Sequence, residues 1–285
     1  MTKHLVFQSD FGTSDGAVSA MYGVAKTVDS DLDLYDVTHD IPQYNIWEAS
    51  YRLYQTICYW PEGSVFVSVV DPGVGSDRLS IVVRTKDNRF IVTPDNGTIT
   101  HIGDSVGIEE ARVIDEKVNR LARSYESYTF HGRDVYAYTG ARLAAGVITF
   151  EEVGKKIDVD QLVKLSTSSV TVDGGIIKGT IDILDVRFGN LWTNIHKRYF
   201  QEASIDYGDT LEVTILDDTR QVYKNVMSYG KSFADTQVGE PLLYINSLEN
   251  IGVALNQGSF AKAYHIKTGE KWKIFVRKAP KIVYS

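Results

Sequence analysis

The chain has 285 residues, 43% hydrophobic and 24% charged, the proportions of a globular protein with a substantial core and a length that suits two domains. A formal net charge of −7 and a pI near 5.4, with Lys and Arg spread along the chain, exclude a basic nucleic-acid-binding face. The lone cysteine, Cys58, excludes an intrachain disulfide and a cysteine-based metal site; beside Ile57 it is expected to be a buried, inert thiol.

The first residues run straight into Leu5-Val6-Phe7, a strand-like segment without the long apolar stretch of a leader. No apolar run approaches the ~18 residues of a membrane span, so a cytoplasmic protein without a membrane partner is expected. Val18, Met21, Ala25 and Val28 then fall on one helical face. Residues 32–37 read as a strand. Asn45, with Glu48 three residues later, predicts a capping box ahead of a helix through Ile46, Ala49, Leu53 and Ile57. Strands follow at 64–70, 79–84 and 89–93, and residues 134–146 read as an Ala-rich helix.

Beyond about residue 165 helical periodicity fades. Segments 176–184, 211–216, 221–226, 242–245, 252–255 and 272–276 read as strands separated by turns, the pattern of a small barrel or sandwich. The chain is therefore α/β: an N-terminal α/β/α sandwich with a mostly parallel sheet over 1–160, a linker over 161–172, and a C-terminal all-β domain over 173–285. Asp10, Asp71 and Asp95 each stand just past a predicted strand, where open α/β sheets hold their ligands.

Phosphate-loop, His-Glu-x-x-His and Gly-x-Ser-x-Gly motifs are absent, and the histidines show no ligand spacing, so neither a metal nor an organic cofactor is expected. Four polar clusters remain. In Ser9–Gly16, Asp10 suits a ribose diol, while Asp15 serves equally for ligand binding or for capping free helix amides. In Asp71–Arg78, a Pro-Gly turn leaves Asp71 at its mouth and lets Arg78 fold back, which a solvated surface ion pair would also do. His131, between Phe130 and Gly132, is either a neutral base or donor or a structural histidine. In Asp185–Asn194, Phe188 could stack on a flat heteroaromatic ring and Asn190 read its edge, or the segment is an Asn/Gly turn.

Together, Ser-Asp-Phe-Gly-Thr, Val-Asp-Pro-Gly-Val-Gly, Pro-Asp-Asn-Gly, Phe-His-Gly-Arg-Asp, Phe-Gly-Asn-Leu-Trp-Thr-Asn-Ile, Asn246-Ser247 and Ala254-Leu255-Asn256 resemble, in order and spacing, the S-adenosylmethionine hydroxide adenosyltransferases. These are relatives of the fluorinating and chlorinating enzymes. The resemblance implies a C-terminal barrel and a homotrimer whose sites lie between one subunit's N-domain and its neighbour's C-domain. It implies S-adenosylmethionine as substrate and adenosine as product. It assigns Asp10 to the ribose hydroxyls, and Asp15, Ala17, Asp185 and Ser247 to the methionine end. Phe188, Asn190 and Asn256 go to adenine, and Tyr44 and Phe130 to the sugar and sulfonium. Asp71, Arg78 and His131 match the set that marks the water-using branch; halogenating relatives carry tyrosine at the position of Asp71. Leu248 and Asn45 depart from the fluorinating enzyme, which has arginine and aspartate there. A halide-using adenosyltransferase and a non-catalytic adenosine or S-adenosylmethionine binder remain as rivals.

Overall fold

The computed structural model describes residues 3–122, 124 and 128–280. The chain divides into two compact units, Met1–Leu165 and Ser166–Ser285. The stretch expected as a linker is shared between them. Val163 donates to Asp95 Oδ1 and Leu165 to Thr100 Oγ1, both at 2.9 Å, which ties residues up to 165 to the first unit.

In the first unit, β1 (His4–Ser9), α1 (Ala17–Val28), β2 (Asp33–Thr38), α2 (Ile46–Ile57) and β3 (Val65–Val69) alternate as the sequence predicts. There follow β4 (Ser80–Thr85), β5 (Phe90–Pro94), α3 (Thr100–Ser105), β6 (Ile108–Val113), α4 (Tyr138–Ala144) and the short β7 (Lys156–Ile157). The sheet order is β2-β1-β3-β5-β4-β6-β7. The first four strands are parallel, and β4, β6 and β7 join antiparallel.

Side-chain alternation builds the three layers. Leu5, Phe7, Val65, Val67, Val82 and Val92 pack with Met21 and Ala25 of α1 and Ala141 of α4. Val6, Phe66, Ile81, Val83 and Ile91 face the other way, onto Leu53 and Ile57 of α2 and Ile102 of α3. β3 is buried on both faces, the reason it reads as an unbroken apolar run.

Three local expectations are corrected. Cys58 is exposed, because Ile57 takes the buried helical position and the next residue turns outward. Asn45 caps α2 by accepting from the Glu48 amide at 3.0 Å, but the Glu48 carboxylate is directed to Arg52 instead of closing a box. The helix expected from residue 134 begins as a π-helical turn, Gly132–Ala137, that runs into α4. Such turns are frequent at functional sites.

The second unit carries β8 (Thr171–Asp173), β9 (Ile176–Leu184), β10 (Leu191–His196), α5 (Lys197–Glu202), β11 (Thr210–Asp217), β12 (Arg220–Tyr229), β13 (Pro241–Ile245), β14 (Asn250–Leu255), α6 (Phe260–Tyr264) and β15 (Gly269–Lys278). Pairing of β10 with β9 closes seven strands into a barrel, with β8 appended to β9. β8 and β10 are hidden from the sequence: β8 begins inside the stretch expected as a linker, and β10 begins inside a segment that reads as a polar turn. The barrel is filled by Ile181, Leu191, Val213, Ile215, Leu243, Val253 and Ile274, with Phe200 and Phe260 contributed by the two short helices. Among the described residues no helix is long and apolar enough to cross a membrane.

Candidate active site

In the first sheet β1 lies between β2 and β3, so the chain leaves it in opposite directions on its two sides. Crevices form at such switch points, beyond the carboxyl ends of the strands. A cavity of about 430 Å³ lies there, lined by residues that include Asp10, Asp15, Ala17, Tyr44, Asp71, Phe130 and His131. Asp10 directly follows β1 and accepts from the Tyr44 amide at 2.8 Å. Tyr44 itself stands in the left-handed region, at φ 66°, a strained backbone of the kind kept at ligand sites. Asp15 accepts from the Ala17 amide at 2.9 Å, so it tightens the entry to α1 while it lines the cavity. Asp95, also past a strand, does not join them: its carboxylate holds Val163, and burial raises its pKa.

The Asp71 turn and the π-helical turn meet at this cavity. Arg78 grips Asp71 with two hydrogen bonds, Nε to Oδ1 at 2.9 Å and Nη2 to Oδ2. Its Nη1 donates to Ser80 Oγ at 3.0 Å, and Nη2 lies 3.0 Å from His131 Nδ1. Burial is the largest single influence and opposes the guanidinium charge, but the hydrogen bonds to Asp71 together with the charges of Tyr136, Asp71 and Glu116 outweigh it, and Arg78 is held cationic. The His131 pKa is lowered, foremost by burial, with the Arg78 and Arg120 charges adding to the shift against an opposing effect from Glu116. A guanidinium only donates, so His131 Nδ1 is the acceptor and the ring proton belongs on Nε2. That Nε2 is buried and has no hydrogen-bond partner among the described residues.

The three residues therefore converge without being equivalent. Asp71 and His131 line the cavity, whereas Arg78 stands behind them and fixes both. The aromatic wall beside them packs closely on Gly132: a Cβ there would lie 3.1 Å from the Phe11 ring and 3.2 Å from Phe130, so those rings would have to shift by a few tenths of an ångström.

In the second unit a cavity of about 970 Å³ collects Asp185, Phe188, Asn190, Ser247 and Asn256. The turn that presents them closes through Gly189 N to Asp185 O at 2.7 Å and Asp185 N to Asn190 O at 2.9 Å. Gly189 has φ +69°, and a Cβ on it would collide with Ser259. Phe188 is 67% exposed, whereas Asn190 is buried. Asn256 donates to Thr236 O at 2.8 Å and so also braces the facing turn.

Several lining residues escape sequence reasoning. Gln43 and Val74 line the first cavity, and Arg187, Lys231, Phe233 and Tyr244 the second. Phe233 is masked by a polar turn with its own capping box, Ser232 to Asp235. Tyr244 lies within a strand, where its hydroxyl accepts from Trp192 Nε1 at 2.9 Å and burial pushes its pKa up to about 12. The one available signal was Asn246, whose Oδ1 accepts from the Leu248 and Asn250 amides at 2.9 and 3.0 Å. Among the described residues no group of three His, Cys, Asp or Glu side chains is placed to hold a metal ion.

Comparison with known proteins agrees with this division of the chain. Residues 5–154 match the SAM hydroxide adenosyltransferase N-terminal domain, and residues 179–273 match the SAM hydroxide adenosyltransferase C-terminal domain. Over 215 residues the chain is 37% identical to the (R)-S-adenosyl-L-methionine hydrolase of Methanocaldococcus jannaschii, covering 74% of this chain and 73% of that one. Over 289 residues it is 29% identical to a fluorinase of Actinopolyspora mzabensis, covering 93% and 94%. The crystal structure of an uncharacterized conserved protein from Thermotoga maritima matches with a TM-score of 0.88 at 30% identity, over 96% of this chain and 100% of the other. With both domains matched in order, the chain belongs to the SAM hydroxide adenosyltransferase family.

Proposed function

We propose that this protein is a cytoplasmic, homotrimeric S-adenosyl-L-methionine hydrolase that forms adenosine and L-methionine without a metal or organic cofactor. The observation that carries the reading is that Asp71 and His131, both held by Arg78, open on the same cavity as Asp10. Its relatives named (R)-S-adenosyl-L-methionine hydrolase support the choice of substrate.

The chemistry follows from the charges. The sulfonium leaves as a neutral thioether, taking the carbon–sulfur electron pair, so it needs no general acid. Neutral water is the poor partner, and activating it is the task left to the protein. Asp71 has lone pairs beyond those gripped by Arg78, and one of them accepts the proton as water bonds to the ribose 5′ carbon. His131, neutral at pH 7 and protonated on Nε2, donates to the water oxygen and fixes its direction of attack. Arg78 acts through both partners, so it is a positioning residue. Holding the water ~3–3.5 Å from the carbon, opposite sulfur, supplies a large share of the remaining acceleration.

Asp10 takes the ribose diol, with Tyr44 and Phe130 against the sugar and sulfonium and Asp15 and Ala17 at the methionine end. In the barrel cavity, Phe188, Asn190 and Asn256 take adenine, and Asp185 and Ser247 reach the methionine end. Arg187 and Lys231 line that cavity and are the cations available to the methionine carboxylate where Leu248 stands. In the trimer the two half-sites meet across a subunit boundary.

Fluorinase relatives raise a halide-using alternative, but a halide at the position of the water would face the Asp71 carboxylate. Turnover in ¹⁸O-labelled water decides the matter. The label is expected in the 5′ hydroxyl of adenosine, with free methionine as co-product. A 5′-haloadenosine in the presence of halide, or label elsewhere, overturns the reading, and a fully active monomer in light scattering overturns the assembly.

A further inference from the structure

Behind Asp10, four side chains form a hydrogen-bond chain that the proposed reaction does not use. The Phe11 amide donates to Ser9 Oγ at 3.3 Å, and Ser9 Oγ lies 2.6 Å from His39 Nδ1. On the far side of the ring, His39 Nε2 lies 3.0 Å from Asp36 Oδ1, which also accepts from Tyr22 Oη at 2.5 Å. A carboxylate accepts, so the ring proton sits on Nε2, Nδ1 is the acceptor and the Ser9 hydroxyl donates to it. The chain thus runs in one direction, from a loop amide to the half-exposed Asp36.

Ser9 is fully buried and its proton is committed to His39, so this Ser-His-Asp set has the composition of a nucleophilic triad without its access. Its geometry serves the neighbouring loop. The His39 carbonyl accepts from the Gly12 amide at 2.8 Å, and the Tyr44 amide donates to Asp10 Oδ2 at 2.8 Å. Loops 9–12 and 39–44 are therefore cross-braced at three points, with Asp10 between them. The Ser9 hydroxyl is fully buried, so leaving it unpaired is costly, and with the two backbone braces it holds the loop in one conformation.

We propose that His39 is a positioning residue for the ribose: with Ser9 and Asp36 it sets the loop that presents Asp10. The proposal rests on the assignment of Asp10 to the ribose diol. It is tested by calorimetric titration of the full chain with adenosine, for Asp10→Asn, His39→Phe, their double variant, Asp36→Ala and Asp36→Asn. His39→Phe is expected to weaken adenosine about tenfold and Asp36→Ala about threefold. Asp36→Asn is expected to restore affinity, because its Oδ1 still accepts from His39. In the Asp10→Asn background His39→Phe should cost nothing further. A merely structural histidine would instead add its full cost in the double variant and lower the melting temperature in parallel; that outcome overturns the proposal. Loss of affinity at Asp10→Asn with none at His39→Phe or Asp36→Ala sinks the proposal alone. Unchanged affinity at Asp10→Asn sinks the ribose assignment and the proposal with it. Because Asp36 is half-exposed, its variants keep the test open even if His39→Phe folds poorly.

Discussion

Around the cavity of the α/β unit the polar groups are engaged before a ligand arrives: Asp71 by Arg78, Asp10 by the Tyr44 amide, His131 Nδ1 by Arg78. The barrel cavity is more than twice as large, and its most prominent ring, Phe188, stands two-thirds exposed. Under the proposed function the contrast separates two tasks. Stabilising charge as it develops requires dipoles already fixed in place, since reorganising them would consume the gain. Recognising a flat heteroaromatic ring requires a stacking face and one or two amide groups, and tolerates a wall completed by the ligand.

That division is broken most directly at Asp71. Asp71→Asn keeps the shape but removes the proton acceptor, so kcat is expected to fall about 10²–10⁴-fold. Adenosine affinity by calorimetry should hardly change, because the interaction belongs to the transition state. A large loss of adenosine affinity would show that the first cavity carries recognition as well.

Acidity should act on the two units with opposite sign. Burial lowers the pKa of His101, in the first unit, from 6.5 to about 4. It sits 2.8 Å from Ser50 Oγ and against the rings of Trp47 and Tyr51. The fold prefers the neutral ring, so this contribution is complete above pH 6.5 and is lost as pH falls through 4, about 3 kcal/mol at the acid end. Burial raises Asp182, in the barrel wall, from 3.8 to about 7. There the fold prefers the neutral acid, so the contribution is complete below pH 3.8 and is lost as pH rises through 7. Hydrogen exchange is expected to loosen the first unit at pH 4.5 and the barrel at pH 8. His101→Gln should flatten the acid limb, and Asp182→Asn should raise the melting temperature at pH 8 but not at pH 4.

The smallest effect sharpens the barrel's role. Asn190→Ala should weaken adenosine by about 1–3 kcal/mol, with kcat at saturation falling less than for Asp71→Asn. An equal fall in kcat would place Asn190 in the chemistry.

β1, β3 and β5 were legible because burial on both faces makes each a short, nearly unbroken apolar run that stops within two residues of Asp10, Asp71 and Asp95. β6 was not, because Glu109 and Glu110 break its apolar run; Arg84 and Lys156 pair with them from the neighbouring strands and Arg112 pairs with Glu110 along β6 itself. β10 was not, because it starts directly after a turn rich in polar residues and its closing partner is β9.

The amino-acid sequence by itself determined the two-unit α/β-plus-β plan and which polar clusters stand beside strand ends and turns, since periodicity and turn chemistry are local. Tertiary structure alone decided which of them act together. Asp95 looks like Asp10 and Asp71 in its strand-end setting, yet its carboxylate is spent on Val163, 68 residues away. Arg78 and His131, 53 residues apart, meet only because the sheet order puts β1 beside β3 and lets the π-helical turn close over their carboxyl ends. The protonation pattern of that site depends on the same contacts, because burial and a neighbouring guanidinium are properties of the packed fold.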